Sequence, residues 1–184
     1  MIISNVSPKR TVVLNNAYSL RKPLADNMLP SKDPYLSNAI GFLNVLLPGH
    51  EILDMPLGHV ALAIRHAIQE LGTRAQVEAF AAMWRESSGK LPPFFGNHGM
   101  HMITFSDWTK AGLVGTDFSA AVVTPGRDHK RKPGRPSYIQ NNQFGLILPN
   151  GLSIIGKDFD GNYWLSGYMN RGKWGKIEEQ LVKL

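Results

Sequence analysis

The run M-H-M-I-T-F-S-D-W-T-K-A-G-L-V-G-T-D-F-S-A-A-V-V, from Met100 to Val123, decides how the chain is read. Met100, Met102, Ile103 and Phe105 predict a buried strand, and Ser106-Asp107-Trp108 a turn. An Asp-Phe-Ser step at Asp117 then leads into a second apolar run. A carboxylate held between two apolar runs costs free energy unless a partner neutralises it. Arg21, at the end of an earlier apolar strand, is the expected partner of Asp117. Each would then be a structural charge, and removing one member of such a buried pair costs about 3–5 kcal/mol.

Outward from that stretch, the 184 residues, 43% of them apolar, suffice for one sizeable core, and residues 1–184 read as a single domain. With no cysteine, disulfides, thiolate metal sites and a thiol nucleophile are excluded; the composition fits a reducing, cytoplasmic setting. The start of the chain carries no signal-peptide pattern, and the apolar run at 39–47, broken by Gly41 and Asn44, is too short to span a bilayer. A net charge of +6 favours anionic partners. Arg127, Lys130, Arg131, Lys132 and Arg135 concentrate that charge in one loop between Thr124 and Pro136.

Thr11–Leu14 predicts a first strand continuing to Tyr18, followed by Arg21 and a proline-rich loop from Leu24 to Pro34. Asn38–Leu47 is nearly all apolar and predicts a strand covered on both faces. Pro56–Leu71 predicts a helix burying Leu57, Val60, Ala61, Ile64, Ile68 and Leu71, with Pro56 at its start and Gly72 at its end. Arg74–Glu86 predicts a second helix with Val77, Phe80, Ala81 and Trp84 inward. Later strands are expected at Tyr138–Gln140, Phe144–Leu148, Leu152–Ile155 and Tyr163–Tyr168. Turns at Pro149-Asn150-Gly151 and Asp160-Gly161-Asn162 join them. Trp174, Ile177 and Leu181 mark a closing amphipathic helix. The order predicts an α/β fold, a mixed sheet with helices packed on it.

Three groups of residues carry chemical possibilities. His50-Glu51-Ile52-Leu53-Asp54 forms H-x-x-x-D, the string in which a histidine serves as general base in a superfamily of acyltransferases. Met55 stands where a glycine usually follows, and the string is read as a solvated connection, a decoy. His98 and His101 lack a third ligand in sequence and fall on opposite faces of a strand, so no metal site is expected; His59 and His66 read as helix surface. Lys130-Arg131-Lys132-Pro133-Gly134-Arg135-Pro136 has the Gly-Arg-Pro core of a minor-groove AT-hook, but occurs once and between predicted strands. The competing readings are a phosphate-facing loop for a nucleotide-like co-substrate, or a solvated charged loop.

Taken in order, these segments resemble the C-terminal half of a BAHD-type acyltransferase in its fungal form, within the chloramphenicol-acetyltransferase-like fold. The matching elements are Thr11–Leu14 with Arg21, Pro34-Tyr35-Leu36-Ser37-Asn38, and Met55-Pro56-Leu57-Gly58 opening a helix. Ile103-Thr104-Phe105-Ser106-Asp107-Trp108, Thr116-Asp117-Phe118-Ser119-Ala120-Ala121 and the Leu148-Pro149-x-Gly151 turn continue the match, so that it covers roughly Thr11 to Leu181. The family's D-F-G-W-G is reduced here to Asp-Phe-Ser-Ala-Ala. The resemblance implies a salt bridge between Asp117 and Arg21, and an acyl-CoA co-substrate with no covalently bound cofactor. It also implies O-acyl transfer, perhaps of an acetyl group, to a hydroxyl of a small secondary metabolite. It places the catalytic H-x-x-x-D in an N-terminal half that this stretch does not match. The chain is then expected to be a truncated or half-enzyme whose base comes from elsewhere, a second chain included, with Arg127, Lys130, Arg131, Lys132 and Arg135 near the CoA phosphates. The alternative is a non-catalytic binding protein that keeps the fold, or a DNA-binding one.

Overall fold

β-branched Val12 and Val13 open the first strand, β1 (Thr11–Ser19), and both are almost completely buried in a computed structural model of the chain. The structure describes residues 6–25, 28–29, 34–123, 134–141 and 149–182. These fall into two compact units, Met1–Thr104 with Arg171–Leu184, and Phe105–Asn170.

In the first unit β1 pairs antiparallel with β2 (Ile40–Pro48), from Thr11 opposite Pro48 to Ser19 opposite Ile40. β2 is not covered on both faces as expected: Leu43, Val45 and Leu47 are buried, whereas Ile40 and Leu46 are exposed. It is the edge strand of the order β2-β1-β3-β4-β5, so its apolar run serves a half-covered position. β3 (His101–Asp107) begins in this unit. Asn97 donates to Thr11 Oγ1 at 3.1 Å, Arg10 to the Met100 carbonyl at 3.1 Å, and Asn15 to Thr104 Oγ1 at 3.3 Å. From Arg10 at Met100 to Asn15 at Thr104 both segments run in the same direction, so β3 runs parallel to β1 and the sheet is mixed. β3 is half-buried along its length rather than fully buried.

A short helix, α1 (Gly49–Asp54), follows β2 without a break, and α2 (Leu57–Leu71) begins after the N-cap Pro56 and ends at Gly72. Tyr18 fixes that end by donating to the Gly72 carbonyl at 3.3 Å. The buried stripe is rotated from the expected one. Ala67 is buried, with Val60, Ala63, Ile64 and Leu71 half-buried, while Leu57, Ala61 and Ile68 are exposed. α2 is apolar nearly all round, so two stripes satisfy the 3–4 spacing, and packing on the sheet selects between them. α3 (Arg74–Glu86) is capped by Thr73, which accepts from the Gln76 backbone, and buries no residue fully; Val77, Phe80 and Trp84 are half-buried and Ala81 is exposed. α4 (Lys173–Leu181) closes the unit.

In the second unit the end of β3 lies beside β4 (Gly151–Lys157), where Trp108 donates to the Ile154 carbonyl at 2.9 Å. β4 pairs antiparallel with β5 (Tyr163–Tyr168), with a bulge between Ile154 and Gly156 around the fully buried Ile155. The expected Asp160-Gly161-Asn162 turn joins them, with Gly161 at φ +92°. The strand expected at Tyr138–Gln140 is absent: that segment is irregular. Phe144–Leu148 lies outside the described residues, as does the basic loop from Thr124 to Pro133.

Candidate functional site

Beyond β3, short 3-10 turns at Thr109–Ala111 and Leu113–Gly115 deliver Asp117 to the surface of the second unit. Its Oδ1 accepts the Ser119 backbone N–H at 2.8 Å, and its Oδ2 accepts from Arg135 Nη2 at 2.8 Å. Arg135 Nη1 also donates to the Gly115 carbonyl at 3.4 Å, and the Phe118 N–H donates to the Gly134 carbonyl at 2.8 Å. Gly134 has φ +78°, and a Cβ there would stand 2.4 Å from the Ser119 nitrogen. Only glycine fits so close an approach at that backbone angle. The Ser119 hydrogen bonds hold the Asp117 carboxyl below its ordinary range, and the Arg135 charge adds to this.

Within the second unit, then, the guanidinium that meets Asp117 is that of Arg135. Arg21 donates to the Tyr35 carbonyl at 3.1 Å, with its guanidinium 5.8 Å from the Tyr35 ring centroid. The sequence pattern suggests a carboxylate between two strands. Instead 3-10 turns flank Asp117 and its side chain is 43% exposed, so water and local N–H donors already solvate it and no distant cation is required.

Arg135 also borders a hollow of about 340 Å³ lined by Tyr138, Asp158, Phe159 and Trp164. Its guanidinium lies 6.0 Å from the Phe159 ring centroid, and Tyr138 meets Trp164 edge-on at 5.5 Å. Asp158 accepts from Trp164 Nε1 at 2.9 Å and from the backbone N–H groups of Asn162 at 2.8 Å and Asp160 at 3.0 Å. The Trp164 bond, with these, keeps its carboxyl low. The result is a guanidinium, paired with Asp117, among aromatic walls, with Asp158 and Asp160 also at the hollow, an arrangement able to take a planar ring. Of the other basic residues named from sequence, Arg127, Lys130, Arg131 and Lys132 lie outside the described residues.

His50 and Asp54 occupy α1 rather than a loop, and both are exposed. The string between them holds a contact that sequence reasoning missed: Glu51 Oε2 lies 3.3 Å from His59 Nε2, joining α1 to α2. His59 is thus half-buried and engaged, not free surface, although the eight-residue separation conceals it. His101 is half-buried in β3, where burial first, then the Arg10 charge, pushes its pKa down. Among the described residues no three His, Asp or Glu side chains group into a metal site, and no helix is long and apolar enough to cross a membrane.

No family model matches the chain. It is 37% identical over 183 residues to acetyltransferase adrJ of Penicillium roqueforti, covering 95% of this chain and 37% of that protein. It is 31% identical over 186 residues to O-acyltransferase ausP of Aspergillus calidoustus, covering 98% of this chain and 36% of that protein. A third relative, at 38% over 179 residues, is named transcriptional regulator calD, from Penicillium decumbens, with 93% of this chain and 36% of that protein covered. The chain therefore spans a little over a third of the length of these relatives. Among solved structures it shares the fold of TRI101 of F. sporotrichioides, complexed with coenzyme A and T-2. That match has a TM-score of 0.70 and 17% identity over 98% of this chain and 39% of that one. Vinorine synthase shares it at a TM-score of 0.60 and 14% identity, over 98% of this chain and 37% of that one.

Proposed function

This chain belongs with the fungal BAHD-type acyltransferases, spanning a little over a third of their length, and on that premise we propose that it is part of an acyl-CoA-dependent O-acyltransferase. The observation that carries the reading is the identity of 37% to acetyltransferase adrJ across 95% of the chain. The reading takes it as the C-terminal half, residues 1–184 forming one domain of a two-domain fold, in a cytoplasmic setting. The reaction is attack by a hydroxyl of a small secondary metabolite on the thioester carbonyl. The C–S bond breaks, the acyl–oxygen bond forms, and the hydroxyl proton passes through a base to the leaving sulfur.

Such chemistry needs a base and oxyanion donors. His50 and Asp54 are exposed on α1, and we assign them no part in it. The base belongs to the remainder of the fold, whether in the same polypeptide or on a second chain. On this reading the chain contributes coenzyme A surface: the aromatic hollow beside Arg135, together with Arg127, Lys130, Arg131 and Lys132, whose charges suit its phosphates. Arg135 itself, held by Asp117, serves as a positioned guanidinium shared between anchor and ligand.

Calorimetry with coenzyme A tests the surface. Saturable binding that weakens at least tenfold when Arg127, Lys130, Arg131 and Lys132 are all changed to Gln supports it, since even one hydrogen bond to a charged group contributes on the order of 1.5–3 kcal/mol. Binding that ignores the change would remove the loop from the reading. An acyl-transfer assay in which His50→Ala abolished turnover would return the base to α1.

The relative named as a transcriptional regulator keeps a second reading in view, a non-catalytic or DNA-binding use of the same fold. Against it, the Gly134-Arg135 core of the hook-like run is docked on Asp117 and Phe118 rather than held out as an extended arm. A gel-shift with A·T-rich duplex at low salt decides it, and no shift ends the DNA reading.

A further inference from the structure

The ion pair between Arg135 and Asp117 lies at the surface, its side chains 28% and 43% exposed, and a pair so placed contributes little to stability. Arg135 is therefore free to change partners at small cost. Two residues further along, Ser137 is exposed in the irregular segment after Gly134 and borders the same hollow as Arg135. Its hydroxyl makes no hydrogen bond among the described residues. In sequence Ser137 follows Lys130-Arg131-Lys132-Pro133-Gly134-Arg135-Pro136, so that cations precede it and Arg135 stands second before it. Protein kinases that read such charge patterns grip the preceding guanidinium with carboxylates and need the serine in an accessible, irregular stretch. Ser88, third after Arg85, is the rival: it too is exposed, but a 3-10 turn at Ser88–Lys90 holds it, and Lys90 Nζ donates to the Arg85 carbonyl.

We infer that Ser137 is a phosphorylation site for an arginine-directed protein kinase, and that its phosphate draws Arg135 away from Asp117. The inference goes beyond the proposed acyl transfer and does not depend on coenzyme A. In the modification, Ser137 Oγ attacks the γ-phosphorus of a nucleoside triphosphate. The Oγ–P bond forms, the bond from that phosphorus to the β-phosphate oxygen breaks, the nucleoside diphosphate leaves, and the hydroxyl proton is released. The product carries a charge of about −1.5 to −2 and three acceptor oxygens, against the single charge of Asp117. Asp158 and Asp160 line the hollow as well, and Arg135 is the one cation among its described lining residues. A phosphate on that rim is repelled by three carboxylates and has one guanidinium to meet. Asp117 keeps the Ser119 backbone N–H when Arg135 turns, so it is not left bare.

The full chain is incubated with the catalytic subunit of cyclic-AMP-dependent protein kinase and magnesium ATP. Mass spectrometry locates the phosphate, and the Arg135 Nε–Hε signal is followed by NMR. The expected product carries one phosphoryl group, on Ser137, and Ser137→Ala carries none. Arg135→Gln should lower kcat/KM for the kinase by at least about tenfold, the scale of one charge-assisted hydrogen bond. Asp117→Asn should move the Arg135 signal in the unmodified chain and leave it nearly unmoved in the phosphorylated one. No phosphorylation, phosphate on Ser88 instead, or an unchanged rate in Arg135→Gln would overturn the site. An Arg135 signal that still answers to Asp117→Asn after phosphorylation would overturn the exchange of partners. The location of the phosphate is read on the native chain, so it stands even if Arg135→Gln does not fold.

Discussion

Arg135 reaches Asp117 from eighteen residues further along the chain, and Gly134 makes the reach possible. At φ +78°, with the Ser119 backbone where a Cβ would go, Gly134→Ala meets both a strained angle and a main-chain clash. We expect it to destabilise the chain by about 1–3 kcal/mol, measured by urea unfolding. An unchanged midpoint would mean that the Asp117–Arg135 closure is not held in solution. Asp117 also makes a pH prediction. Its folded pKa lies below the unfolded value near 3.8, so its contribution to stability is complete above that pH and is lost as pH falls through the lower folded value. Asp158 shifts in the same direction, so the two contributions must be separated by substitution. The acid side of the native stability profile should fall more steeply than that of Asp117→Asn, and parallel profiles would refute the assignment.

At the scale of elements, burial ranks the apolar residues better than their spacing does. Ile155 is 2% exposed at the β4 bulge, whereas Leu57 is 83% exposed at the start of α2. Ile155→Ala should cost about 2–5 kcal/mol and Leu57→Ala less than about 0.5 kcal/mol, again by urea unfolding. Similar losses at both sites would mean that α2 is turned as the sequence pattern first suggested. That contrast also marks what was legible beforehand. β1, β2, α2, α3, β5 and α4 were readable because β-branched runs, 3–4 spacing and the Gly161 turn are local signals. The rotation of α2 was not, since Leu57-to-Leu71 carries two usable stripes and only the sheet chooses between them. The second apolar run after Asp117 became 3-10 turns because Ala120 and Ala121 are too small to reward a strand. Strand ends are likewise legible, so Arg21 offers itself as a cation for Asp117, whereas Arg135 lies in a basic loop whose pattern points to a ligand and its link to Asp117 depends on the Gly134 turn. The His59–Glu51 contact is not legible in sequence because it joins two helices across eight residues.

On the scale of the whole molecule, the described residues leave large apolar side chains in solvent, among them Leu36 at 98% and Val123 at 96% exposed. Scattered exposed leucines are ordinary, but a chain spanning little more than a third of its relatives has a physical reason to carry more of them. On the proposed reading, such side chains belong to surface that an acyltransferase buries against its other part, and the general base is assigned to that part. The proposed division of labour can be measured directly. This chain alone should show no acyl transfer from acetyl-CoA above the uncatalysed rate, while still binding coenzyme A. Mixing it with the portion of acetyltransferase adrJ that it does not match should produce turnover, and should raise the unfolding midpoint of both pieces, since each stabilises the folded form of the other by mass action. Because the basic loop is expected to hold phosphate, coenzyme A binding should also weaken as salt rises from about 0.1 M to about 1 M and the screening length falls from roughly 10 Å to roughly 3 Å. Turnover by this chain unaided would place the base within it and end the half-enzyme reading, whereas salt-independent binding would move coenzyme A off the basic loop.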